Sequence, residues 1–287
     1  MALNSVNTNS GALVALQNLQ STNAELATTQ SRINTGKKVN SARDNGAIWA
    51  IAQGQRSEVS ALGAVKDSLA RGQSAVDVGL AAGESVSDLL IQLKEKALAA
   101  TDKSLTTSAR AALNEDFKSI RDQIGTVVSN AKFNGVNMLD GSTGTGGYKA
   151  LANTTGSTIK VAGEDLSLSG DVVTLSSSQG LVSTGSGTTG VSALSNATAA
   201  LAAVNASIDN VSAALARLGT GAKSLETHQT FVGKLSDALE VGISYLVDAD
   251  LAKESARLQS LQTKQQLGVQ ALSIANQSSS ILLGLFR

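Results

Sequence analysis

The chain has 287 residues, with Lys+Arg and Asp+Glu balanced at 23 each, one histidine, no cysteine and no proline. A net charge of zero without a basic stripe argues against a nucleic-acid binder, and the lack of cysteine excludes disulfides and thiolate metal sites. Only 2% of residues are aromatic, too few for a thick globular core, so thin bundles of Ala, Leu, Val and Ile are expected, with no proline to limit helix length.

The opening "MALNSVNTNSG" lacks the basic patch and apolar block of a secretory signal. No stretch approaches the ~18 apolar residues expected of a membrane span. An N-terminal helical arm follows, with Leu16, Leu19, Leu26 and Ile33 on one face and Asn23 and Gln30 between them.

Residues 56–100 carry heptads. One seam is Leu62, Leu69, Val76, Gly83, Leu90 and Ala97; the other is Val65, Gly72, Gly79, Val86, Leu93 and Ala100. This spacing is that of a coiled coil. The three glycines point to close approach of a neighbouring segment, the favoured reading, or to a soft place where packing can shift. A shorter helix is predicted near 106–129, with Leu113, Phe117, Ile120, Ile124 and Val127 on one face. "KFNGVNMLDG" then reads as an extended turn ending in Asp140-Gly141.

From 141 to about 192 the composition shifts to Gly, Ser and Thr. "TIKVAG", "LSLSG" and "VVTLSS" read as short strands, forming a surface lobe or flap without a core of its own. Heptads return over 199–247. Val204, Val211, Leu218, Leu225, Val232, Leu239 and Leu246 form one seam; Leu201, Ile208, Leu215, Ala222 and Ile243 form the other, with Gln229 and Ser236 interrupting. The pattern breaks at Asp248-Ala249-Asp250, where a helix cap or break fits better than a metal site. A C-terminal arm over 251–283 has two narrow stripes. One holds Leu251, Leu258, Leu261 and Leu272; the other holds Leu267, Ile274 and Ile281. The chain then ends on the apolar run of Ile281, Leu282, Leu283, Leu285 and Phe286.

The fold class expected is mainly α, with long antiparallel coiled-coil helices, a small β/loop lobe and two helical terminal arms. The divisions are 1–45 for the N-terminal arm, 46–140 for the first half of a helical domain, 141–195 for the lobe, 196–248 for the second half, and 249–287 for the C-terminal arm. Both arms should lie together. No catalytic, cofactor or metal site is expected. His228 sits on a coiled-coil helix and suits a structural role, and "GSTGTGG" lacks the Gly-Lys-Ser/Thr ending of a phosphate loop.

Both chain ends resemble bacterial flagellins. In "INTGKKVNSARDNGAIWAIA", residues 33–52, Gly36, Lys38, Val39, Asn40, Ser41, Ala42, Asp44, Ala50 and Ile51 fit the N-terminal signature. Asn45 replaces a second acid, and Ile48-Trp49 stands where Gly-Leu is usual. "KFNGVNML" resembles the turn after the second helix of that family; "DADLAKE" and "ANQSSSILLGLFR" resemble its C-terminal arm. The resemblance covers roughly 1–140 and 195–287 and is similar to the compact flagellins of alphaproteobacteria.

The resemblance implies a structural subunit that polymerises, with itself and other flagellins, into an extracellular flagellar filament for swimming. It implies arms forming an inner tube and coiled coils forming the layer around it. It implies type III export through the flagellar apparatus, guided by a disordered N-terminus, and partners in an export chaperone, a filament cap and hook-associated proteins. No nucleic acid or membrane partner is expected. The alternative is a hook–filament junction protein.

An isolated arm buries too little to offset an ordering entropy of about 1–2 kcal/mol per residue. The arms are therefore expected to fold on assembly. The expected assembly interface is Leu16, Leu19, Leu26, Ile33, Leu258, Leu261, Leu267, Leu272, Ile274, Ile281, Leu282, Leu285 and Phe286. The expected coiled-coil seam is Leu62, Val65, Leu69, Val76, Leu90, Leu93, Val204, Val211, Leu218, Leu225, Val232 and Leu239.

Overall fold

A computed structural model describes residues 9–143, 146–181 and 190–285, with side chains described for 9–143, 146–181 and 194–277. The N-terminus expected to guide export lies outside the described residues. The protein is mainly α: α1 (Ser10–Thr35), α2 (Gly46–Ala100), α3 (Thr107–Asn130), α4 (Gly190–Val247) and α5 (Leu251–Leu285), with four short strands. Helices of 55 and 58 residues are possible because no proline interrupts α2 or α4.

Several helix boundaries have a local cause. The Asn9 carboxamide accepts from the Ala12 amide at the start of α1, and Gly36 ends that helix in the left-handed region at φ +67°. Asn45 Oδ1 accepts from the Ile48 amide before α2. Thr106 caps α3 through the Ala109 amide, and Asp250 Oδ1 accepts from the amides of Ala252 and Lys253 to start α5. The apolar break at 248–250 is thus a helix cap.

The chain divides into two compact units, 1–59 with 237–287, and 60–236. In the first, α1 and α5 pack antiparallel. Asn9 Nδ2 donates to Ala275 O, Gln265 Nε2 donates to Asn23 Oδ1, and Arg32 pairs with Glu254.

The second unit holds a buried core running along α2. Every position of both α2 seams from Leu62 to Ala100 is buried. The mid-helix glycines mark close approach. A Cβ on Gly83 would lie 2.5 Å from Leu215 Cδ2 of α4, one on Gly72 would lie 2.8 Å from Tyr148, and one on Gly79 would lie 3.2 Å from Met138. Helix–helix contact therefore explains only Gly83; the other two make room for the connection that follows α3. The order along α2 and α4 is antiparallel: Gly83 meets Leu215, while the earlier Gly72 lies under Tyr148, whose ladder partner Val161 packs on the later Gly221.

α3 buries Phe117, Ile124 and Val128. It also buries Arg110, Asn114 and Arg121, each used to close a backbone group. Arg110 donates to Ala100 O and Asp102 O, Asn114 Oδ1 accepts from the Leu181 amide, and Arg121 donates to Gln179 O. After α3, β1 (Lys132–Phe133) and β2 (Val136–Asn137) form a hairpin. Asn134 and Gly135 turn it at φ +49° and +81°, the geometry that favours Asn-Gly in two-residue turns. The turn is thus two residues around Asn134-Gly135, ahead of Asp140-Gly141.

The lobe departs from expectation. Strand β3 (Tyr148–Leu151) pairs antiparallel with β4 (Thr158–Val161), so "TIKVAG" is a strand. "LSLSG" and "VVTLSS" are irregular. Their amides find other partners: Leu166 N donates to Leu139 O, Val172 N to Asp165 O, and Thr174 N to Ser207 Oγ. Nor is the segment a coreless flap, because Leu166, Val173, Leu175 and Leu181 are fully buried. Alternation of apolar and Ser/Thr residues mimics a strand, while the local turn chemistry of Asp165 and its neighbours bends the backbone away from one.

α4 corrects two further expectations. Leu201, Ile208 and Leu215 are half-buried, while Ala200, Ser207 and Ala214 are fully buried beside the first seam. Small residues face inward and the larger ones flank. Its Leu194–Val247 part is also long and apolar enough to cross a membrane by length and composition. Alanine supplies what a run of large apolar residues would.

Candidate functional site

The chain leaving α1 pairs with the junction between α4 and α5. After α1 ends at Gly36, the amides of Lys38 and Val39 donate to Val247 O at 2.7 and 3.2 Å, and Ala249 N returns a bond to Gly36 O at 2.9 Å. Lys37 and Asp248 form a β-bridge. Val39 and Val247 are both buried beneath it. The segments "INTGKKVN" and "DADLAKE" therefore form one paired clasp, although some 210 residues separate them in sequence.

Next to this clasp, α1 and α5 lie side by side. Glu254, in the first turn of α5, accepts from Arg32 Nη1 at 3.1 Å; their side chains are 11% and 28% exposed. Arg257 pairs with Glu25 further along at 3.2 Å. A Cβ on Gly268 would meet Leu19 Cδ1 at 3.3 Å. These ionic and small-residue contacts were not singled out from sequence. The signal available was Arg32 within "SRINTG" and Glu254 within "DLAKE", one acid and one base, each near a helix break.

The arm stripes are incompletely covered by this pairing. Leu261 is buried; Leu19, Leu26, Ile33, Leu258 and Leu272 are half-buried; Leu16, Leu267 and Ile274 are exposed at 41%, 58% and 68%. The side chains of Ile281, Leu282 and Leu285, and the whole of Phe286, lie outside the described residues. The seam residues behave differently. Leu62, Val65, Leu69, Val76, Leu90, Leu93, Val204, Val211, Leu218, Leu225 and Val232 are all buried, and Leu239 is half-buried.

Among the described residues there is no cluster of three potential metal ligands. A cavity of about 420 Å³ between the lobe and α4 is lined by Glu164, Asp165, Asp171 and Arg217. Arg217 donates through Nε and Nη2 to the two carboxylate oxygens of Glu164, at 2.7 and 2.6 Å. His228 Nε2–H donates to Ala152 O at 2.7 Å and holds the β3–β4 connection to α4.

Residues 6–144 match the bacterial flagellin N-terminal helical region, and residues 201–286 match the bacterial flagellin C-terminal helical region. The chain is 57% identical to Flagellin FljM and 58% identical to Flagellin FljN of Caulobacter vibrioides, each covering all of both chains. It is 36% identical to a flagellin of Brucella melitensis over 99% of each chain. Full-length similarity to filament subunits does not favour the hook–filament junction alternative. Matches to both flagellin regions and to flagellins across the whole length lead to one conclusion: the chain belongs to the bacterial flagellins of alphaproteobacterial type, structural subunits of the secreted extracellular flagellar filament, a family of structural proteins and not of enzymes.

Proposed function

We propose that the α1–α5 pair is the element through which copies polymerise, and that it acquires its final packing on assembly. One observation carries this reading. Paired with each other, the arms still expose Leu13, Leu16, Leu267 and Ile274, each more than 40%. Large apolar side chains left exposed in rows along both helices of a pair mark an interaction site. Neighbouring copies, bringing the same unsatisfied stripes, would cover it. A head-to-tail contact that does not close extends as a filament.

On this reading residues 1–45 and 249–287 form the inner layer, and the helical unit with its buried seam forms the layer around it. The apolar tail at Ile281, Leu282, Leu285 and Phe286 completes the interface. Arms that order late suit export through the flagellar type III apparatus, with a chaperone on the C-terminal arm and with the cap and hook-associated proteins at the filament ends. Deletion of 276–287 tests the proposal. Seeded polymerisation of the truncated chain should cease while its far-UV helical signal falls only in proportion to the residues removed. Continued filament growth by the truncated chain would overturn it.

A further inference from the structure

We propose that Asn134, at the tip of the β1–β2 hairpin, is a site of spontaneous covalent modification, where the side-chain amide is lost and aspartate or isoaspartate takes its place. The reaction needs water and no enzyme, and it does not depend on how copies assemble.

The chain holds two Asn-Gly steps, Asn45-Gly46 and Asn134-Gly135. Glycine carries no Cβ to hinder attack by its own amide nitrogen. In the reaction the Gly135 nitrogen gives its proton to solvent base and bonds to Asn134 Cγ. The Cγ–Nδ2 bond breaks, and ammonia leaves with a proton taken back from solvent. The product is a cyclic succinimide. Water then opens the ring at either carbonyl. Breaking the bond from the Gly135 nitrogen to Cγ leaves aspartate. Breaking the bond from that nitrogen to the main-chain carbonyl carbon leaves isoaspartate, whose main chain runs through Cβ and Cγ. The net change is water taken up and ammonia released, with nothing oxidised or reduced.

The structure separates the two steps. Asn45 is a helix cap: its Oδ1 accepts from the Ile48 amide at 3.1 Å, and its carbonyl accepts from the Trp49 amide at 3.0 Å. Gly46 is the first residue of α2, so ring closure there must first break the cap. Asn134 has no such tie. It is exposed, as is Gly135, and its carboxamide forms no hydrogen bond among the described residues. A Cβ on Gly135 would meet nothing within 4 Å, which leaves open space for the ring. The turn must leave its left-handed conformation, φ +49° at Asn134, for the ring to close. Only two residue pairs hold it, Lys132 with Asn137 and Phe133 with Val136, and so short a hairpin opens readily.

The two products differ in effect. Aspartate, like asparagine, tolerates positive φ and keeps the turn. Isoaspartate adds an atom to the main chain and destroys the two-residue geometry on which the hairpin register rests. Asn137 then loses its placement. Its Nδ2 donates to Val128 O, and its Oδ1 accepts from the Leu139 amide, both in buried positions. Met138, beside it, fills the space over Gly79 of α2. The exposed tip is thus coupled to the packing of α2.

The test is incubation of the purified full-length chain at neutral and at mildly alkaline pH, followed by tryptic digestion and mass spectrometry. Peptide 133–149 carries Asn134, and peptide 44–56 carries Asn45. Peptide 133–149 should gain about 1 Da with time, faster at alkaline pH, with fragmentation placing the gain at residue 134. The modified fraction there should exceed that at Asn45 by about fivefold, the factor that a helix cap represents. Asn134→Gly suits the positive φ and has no amide to lose, so its peptide should keep a constant mass; circular dichroism checks its fold. Hydrogen exchange at the Leu139 amide should quicken in the aged wild type and not in the aged Asn134→Gly chain.

A wild-type peptide 133–149 of constant mass, a gain placed at Asn137, or a modified fraction at Asn45 as large as that at Asn134 would overturn the assignment. Unchanged exchange at Leu139 in chains that carry isoaspartate would overturn the coupling to α2.

Discussion

Asp44 accepts from the amides of Ser41 and Asn40 and from the Ser41 hydroxyl, closing the loop between α1 and α2. The backbone bond from Ser41, then that from Asn40, holds its carboxyl below the ordinary value of 3.8. A lowered folded value means that this contribution is complete above pH 3.8 and is lost as pH falls through the folded value. Acid should therefore loosen residues 40–44 below pH 3.8 in the wild type, while Asp44→Asn shows no such step. Hydrogen exchange at the Asn40 and Ser41 amides reads this directly. Glycine gives a second contrast at this scale. A Cβ on Gly221 would lie 2.5 Å from Val161 Cγ1, whereas one on Gly219 meets nothing within 4 Å. Gly221→Ala should cost about 1–3 kcal/mol from overpacking against a stiff β-branched side chain. Gly219→Ala, one turn-step away in open space, should stabilise by about 0.4–1 kcal/mol. Urea midpoints of the two variants should move in opposite directions.

Helix α5 carries two kinds of apolar residue, and they predict different behaviour. Leu261 is 3% exposed against α1, so Leu261→Ala should cost about 2–5 kcal/mol of the folded arm pair and lower the melting temperature of assembled filaments. Leu267 is 58% exposed. Leu267→Asp should leave the arm pair's own contacts intact yet raise the protein concentration needed for polymerisation. Arg32 and Glu254 belong to the first kind. Arg32→Ala leaves a largely buried carboxylate without its cation, a loss of about 1–3 kcal/mol. Adding Glu254→Gln to Arg32→Ala should recover part of that loss, a coupling measurable from filament melting temperatures. Element boundaries were legible for a physical reason. Thr106 and Asp250 act on amides within three residues of themselves, so their signals are complete in a short window. The seams of α2 were legible because period 3.5 is likewise local.

Across the whole molecule, the unit spanning 60–236 keeps its seams buried, while the unit formed by 1–59 and 237–287 presents open apolar stripes. Limited proteolysis of the unassembled chain should therefore trim both ends first and leave a fragment close to 60–236, whereas assembled filaments should resist cleavage at the same sites. What the sequence by itself determined was the helical class, the order of the helical segments, the break at Asp248–Asp250, and the family signature at both ends. What only the tertiary structure decided was that α1 ends at Gly36 and that the chain after it clasps the 248–250 break, that Arg32 faces Glu254, that small residues of α4 turn inward, and that the lobe beyond β4 is irregular and buries Leu166, Val173 and Leu175. The first group depends on periodicity, caps and missing prolines, which act between neighbours in the chain. The second depends on partners far apart in sequence, such as Leu139 for Leu166 and Val247 for Lys38, and only the folded backbone brings these within hydrogen-bonding distance.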